Sequence, residues 1–161
     1  MLSEQPRVIL PQSQHKPLKK LVAQAFRHGH RQAPFLSAEI RRALFCKDTL
    51  LPGNVVVPGS TVSYRLDWQQ PTLPKTLVYP EAFHDAASQI SLLSPIGVAL
   101  LGLRVGEGMP VFIAGSGIHK LRVTHVTRPF AEAGEAQTMD DFGSPGARTT
   151  LAQSEYRDGL G

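Results

Sequence analysis

The sequence predicts an α+β fold, an antiparallel sheet with one packed short helix, preceded by a short N-terminal helical hairpin. Three observations predict it. Thr61–Asp67 alternates apolar and polar residues, with Val62, Tyr64 and Leu66 on one face and Thr61, Ser63 and Arg65 on the other, the pattern of a half-buried strand. Ser94-Pro95 opens a short apolar run between strand-like segments, and serine followed by proline is a helix start. Two stretches before residue 50 place apolar residues at helical spacing.

In chain order, Arg7–Leu10 is short for a strand and Pro11 closes it. Pro17 suits the first turn of a helix, and Leu18, Leu21, Val22, Ala25 and Phe26 form its stripe until Gly29 stops it. A second helix is expected to start near Ser37 as N-cap, with Ile40, Ala43 and Leu44 inward and Arg41 and Arg42 facing away. Pro52-Gly53-Asn54 and Pro58-Gly59-Ser60 are turn signals around the apolar run 55–57. The proline-rich stretch 68–74 reads as a hairpin loop, Lys75–Tyr79 as the partner strand ended by Pro80, and Gln89–Leu92 as a further short strand. After Ser94-Pro95, Ile96, Ala99, Leu100 and Leu103 supply one helical face, and Gly102 marks the helix end. Arg104–Gly108 is a turn, Val111–Ile113 a strand, Gly115-Ser116-Gly117 a tight return, and His119–Val126 the last strand. Domain boundaries follow: a short basic helical head over 1–50, the α+β domain over 51–130, and an acidic tail over 131–161 that reads as disordered or loosely attached.

Charge is distributed unevenly along the 161 residues. Residues 1–50 hold nine Lys/Arg against three acids, whereas 131–161 hold two against six. A basic head suits nucleic acid or an acidic protein surface, or it is simply a solvated helical face. No run approaches the ~18 apolar residues of a membrane span, and no signal peptide is recognisable. The lone Cys46 excludes an internal disulfide and any multi-cysteine metal site, and fits a reducing cytoplasm.

Chemistry-bearing patterns are sparse. His28 and His30 with Cys46 are a weak metal signal, and Asp140-Asp141 lacks a rigid setting. Ser94 lies in no nucleophile elbow and is explained by helix capping. His119 and His125, six apart, should share a strand face without forming a site. Gly106 and Gly108 open no helix, and Gly115-Ser116-Gly117 is not a specific phosphate nest. Trp68 is either a partner-facing aromatic or the closure of one end of the core. Binding is therefore favoured over catalysis, with no cofactor and no metal. The candidate partner-binding residues are Trp68, Tyr79, Glu81, Arg104, Glu107, Arg27 and Arg31.

Thr76–Pro80 and Ile90–Glu107, together with the strand Thr61–Leu66, resemble the C-terminal domain of the GreA/GreB transcription elongation factors. Within that family they look closest to the branch of regulators of nucleoside diphosphate kinase (Rnk). The resemblance covers about residues 36–130. It implies a fold similar to FK506-binding proteins and docking on RNA polymerase at the rim of its secondary channel, with the helical hairpin pointing inward. Cleavage factors of this family carry two acids at the hairpin tip, where they help hold a catalytic metal. Here the tip reads Arg27-His28-Gly29-His30-Arg31-Gln32-Ala33-Pro34 and has no acid. A hard cation needs carboxylate oxygens, so no stimulation of transcript cleavage is expected. The expectation is a non-catalytic, cytoplasmic, monomeric regulator that meets nucleic acid only through the polymerase complex. Its alternatives are a prolyl isomerase-like protein and a protein that binds nucleic acid directly.

Overall fold

The strands that the alternating pattern marks out assemble into a five-stranded sheet in this computed structural model, which describes residues 5–128. β3 (Thr61–Leu66) lies at its centre, paired antiparallel with β4 (Lys75–Val78) on one side and β7 (Gly117–Thr127) on the other. β5 (Gln89–Ser91) adds in parallel to β4, and β6 (Gly108–Ile113) forms the opposite edge as an antiparallel partner of β7. The order is β5-β4-β3-β7-β6. Pro110 in β6 has no N–H to offer a further strand, which suits an edge position.

The β3–β7 ladder contains a bulge. Ser63 lies opposite His125 and Tyr64 opposite Val123, so Thr124 is the extra residue on β7. This overturns two expectations. Val62, Ser63 and Tyr64 are all buried in succession, so the strict alternation of β3 breaks at Ser63. The inserted residue also reverses the phase of β7, so His119 lies in phase with the buried Leu121 and Val123 while His125 is exposed. The Thr124 hydroxyl is buried and has no hydrogen-bond partner among the described residues.

α3 (Pro95–Leu100) forms as its sequence dictates. Ser94 is extended, and its Oγ accepts the Gly97 N–H at 3.0 Å while donating to the Ser91 carbonyl at 2.7 Å. Gly97 packs against the end of β5, where a Cβ would stand 2.0 Å from the Ser91 carbonyl oxygen. Gly102, just past the helix, has φ of +80. Its N–H donates to the Val56 carbonyl, and a Cβ there would meet Val8 at 2.2 Å.

The head comprises α1 (His15–Arg27) and α2 (Ala33–Arg42) with two short strands, β1 (Ile9–Pro11) and β2 (Leu44–Cys46), paired in parallel. Leu18, Leu21 and Ala25 are the buried stripe of α1, whereas Phe26 is 52% exposed. At its end the His30 N–H reaches the Ala25 carbonyl and the Gly29 N–H reaches Phe26, with Gly29 left-handed at φ +65. That double closure is a Schellman stop. α2 starts five residues earlier than the Ser37 cap predicts, with Gln32 at the cap position, because Pro34 sits in its first turn and supplies the fixed φ of a helix start. It also ends earlier. Ala43 is extended, and Leu44 leaves the expected helical stripe to donate its N–H to the Val8 carbonyl at 2.8 Å. Arg41 is exposed, but Arg42 turns inward to pair with Glu39 at 2.7 Å and to donate to the Pro6 carbonyl at 2.6 Å.

One apolar core runs through head and sheet. Val8, Leu10, Leu18, Leu21, Leu36 and Ile40 of the head pack in the same cluster as Val62, Leu77, Leu92, Leu100, Leu101, Leu103, Leu121 and Val123. A smaller cluster of Leu51, Val55 and Val57 is flanked by Ile9 and Cys46, which accounts for the half-buried thiol. The acidic segment 131–161 lies outside the described residues.

Candidate partner-binding surface

The helical tip presents Arg27 and Arg31 in solvent on either side of the Gly29 stop, together with His28 and His30. Its hydrogen bonds are local, including the Gln32 N–H to His30 Nδ1 at 3.1 Å. No carboxylate lies within Arg27–Pro34. Among the described residues, no group of three or more His, Cys, Asp and Glu side chains could hold a metal ion.

Arg104 and Glu107 close on each other across their turn. The guanidinium meets the carboxylate at 3.1 Å, and the other carboxylate oxygen accepts the Arg104 N–H at 2.9 Å. Arg104 is half-buried, so the pair works first as a turn lock and offers only part of its charge to a partner. Tyr79 and Glu81 sit beside α1, in a groove that also takes in Lys16, Lys20 and Gln24. The Tyr79 hydroxyl donates to Gln14 Oε1 at 2.6 Å. Burial, reinforced by the Glu81 carboxylate, pushes its phenol well above the usual range, so it stays a neutral donor. Trp68 is 92% exposed just beyond β3, so it does not close the core. These residues thus occupy separate loops and turns and do not converge on one site.

Sequence reasoning missed a groove that does converge. It lies between α2, α3 and the β6–β7 hairpin, encloses about 310 Å³, and is lined mainly by apolar side chains. Phe35, Phe112 and Ile118 rim it while remaining 61%, 64% and 73% exposed. Phe112 and Ile118 face each other directly across the β6–β7 ladder. Large apolar side chains clustered in solvent around a concavity are the signature of a protein-binding surface. The floor contains Glu39, whose charge is neutralised by Arg42. The signal was present in the sequence as Val111-Phe112-Ile113 and Ile118, but strand periodicity alone does not show which side of an edge strand remains uncovered.

A second missed cluster joins Asp67, His119 and Ser116. His119 Nδ1 lies 2.7 Å from Asp67 Oδ2, and His119 Nε2 lies 2.6 Å from Ser116 Oγ. Asp67 Oδ1 accepts the Lys120 N–H at 2.8 Å. That backbone bond first, and His119 second, hold the Asp67 carboxyl below its usual range. The residues come from two hairpins that only the folded sheet brings together.

Residues 51–128 match the family described as transcription elongation factor, GreA/GreB, C-term. Over 77 residues the chain is 40% identical to the regulator of nucleoside diphosphate kinase of Escherichia coli K12, and equally to that of Shigella flexneri. The matched stretch is 48% of this chain and 57% of those relatives, so the chain spans little more than half the length of the curated relatives it matches. Among solved structures, a prokaryotic GreA/GreB transcription elongation factor from Nitrosomonas europaea superposes with a TM-score of 0.63 at 29% identity. That likeness covers 75% of this chain and 99% of the other, more than residues 51–128 alone, so it takes in part of the head as well.

Proposed function

We propose that the protein is a non-catalytic transcription regulator that binds RNA polymerase near its secondary channel and does not stimulate transcript cleavage. The observation that carries this reading is the match of residues 51–128 to the GreA/GreB C-terminal domain. The groove rimmed by Phe35, Phe112 and Ile118 supports it, because a domain that docks on a large protein needs an exposed apolar centre. In this reading the groove is the main contact. Arg27 and Arg31 approach the polymerase at the helical tip, and Trp68, Tyr79, Glu81, Arg104 and Glu107 make secondary contacts. The protein acts as a cytoplasmic monomer and meets nucleic acid only within the polymerase complex.

The acid-free tip supports the absence of cleavage. α1 has thirteen residues and so extends about 20 Å, and it ends in arginine and histidine. Positive side chains repel a divalent cation that carboxylates would hold. The test is a backtracked elongation complex of purified bacterial polymerase with magnesium present. Added protein should bind the complex and leave the rate of transcript shortening at background. Stimulated shortening, or no binding at micromolar protein, would contradict the proposal.

A further inference from the structure

The Asp67–His119–Ser116 chain has an order that a structural staple does not need. An ionised carboxylate only accepts hydrogen bonds, so Asp67 fixes the proton of His119 on Nδ1. In the neutral imidazole Nε2 is then the acceptor, and its 2.6 Å neighbour is the Ser116 hydroxyl. The Lys120 N–H orients the carboxylate from behind. Nucleophile, base and orienting acid are therefore in hydrogen-bond sequence, the arrangement that activates a serine hydroxyl. The fold holds this order at some cost. Asp67 is the one non-glycine among the described residues with positive φ, at 54, a conformation that costs ~1 kcal/mol or more. It is pinned there by donating its own N–H to the Lys120 carbonyl at 2.7 Å. Ser116 is exposed at the hairpin tip between Gly115 and Gly117, which have positive φ and, as glycines, carry no side chain to crowd it.

We propose that Ser116 is an activated nucleophile that accepts the acyl group of electrophilic esters. The Ser116 Oγ bonds to the carbonyl carbon of the ester, and its proton passes to His119 Nε2. The bond from that carbon to the leaving oxygen breaks, and the leaving group departs with the electron pair. This activity is separate from the apolar groove and does not rest on polymerase binding.

The chain contains its own reference. Ser88 Oγ is exposed and donates to Asp85 Oδ2 at 2.6 Å, but no imidazole takes part. The test treats the full chain with p-nitrophenyl acetate, and separately with a fluorophosphonate probe, and locates the adducts by peptide mass spectrometry. Ser116 should be labelled about 100-fold faster than Ser88, the size of a general-base contribution. His119→Gln should bring Ser116 down to the Ser88 rate, with folding checked by circular dichroism, and Asp67→Asn should lower it by at least tenfold. Equal labelling of Ser116 and Ser88 in the unaltered protein would overturn the proposal. So would labelling of Ser116 that survives the loss of the imidazole in a folded variant.

Discussion

A Cβ at Gly97 would stand 2.0 Å from the Ser91 carbonyl oxygen and 3.1 Å from the Leu92 Cα, both of them backbone atoms that cannot rotate away. Gly97→Ala should therefore destabilise the fold by about 1–3 kcal/mol through overpacking, read as a lower urea midpoint at unchanged slope. Gly53→Ala is the control: nothing lies within 4 Å of its Cβ position, and the change should stay within about 1 kcal/mol of neutral. Asp67 predicts a pH effect. Its folded carboxyl is held below the ordinary 3.8 by the Lys120 N–H and His119, so its stabilisation is present above 3.8 and lost as pH falls through the depressed folded value. Asp67→Asn should remove that part of the acid sensitivity, so the gap between the two proteins in urea titrations should narrow as pH drops below 3.8. These residues differ in how readable they are. Ser94-Pro95 announces α3 because capping is local chemistry between neighbours. Asp67 and His119 are 52 positions apart, and no local rule pairs them.

At the scale of elements, the strands and α3 were legible because their periodicity and turn residues agree. The head was less so. Ser37 looks like a cap, yet Pro34 fixes the start of α2 earlier, and Leu44 looks helical until β1 offers it a parallel partner. Apolar residues at 40, 43 and 44 suit a helix face or a helix followed by a strand, and only the tertiary partner decides. The bulge at Thr124 was equally invisible, since an extra residue in a ladder leaves no mark on composition. The same limit hid the groove between α2, α3 and the β6–β7 hairpin. Its rim makes a direct prediction. Phe112→Ser removes an aromatic that is 64% exposed, so stability should change by no more than about 0.5 kcal/mol. Polymerase binding should weaken by at least tenfold, the scale of losing a central aromatic anchor. Charge reversal at Arg104 should have the opposite profile. It unlocks the Arg104–Glu107 turn and should lower thermal stability more than it lowers affinity, as differential scanning fluorimetry and titration would show.

For the whole molecule, the shared core makes the head a structural part of the domain and not an appended arm. Val8, Leu10, Leu18 and Leu36 are wholly buried in the cluster that also holds Leu77, Leu101 and Leu121. Each such side chain contributes about 1.5–3 kcal/mol on burial. A fragment of residues 51–128 should therefore expose a broad apolar face and either unfold at lower urea than the full chain or self-associate, as ultracentrifugation would reveal. The uneven charge matters at this scale too. If the basic head bound nucleic acid by itself, affinity for free duplex would be measurable and would fall steeply with salt. The polymerase reading expects no such binding at physiological ionic strength. The most direct test of that reading is competition on purified bacterial core polymerase between the labelled protein and an unlabelled Gre cleavage factor. Saturable binding at micromolar concentration and complete displacement by the competitor are expected. Absence of saturable binding, or binding that the Gre factor does not displace, would contradict it.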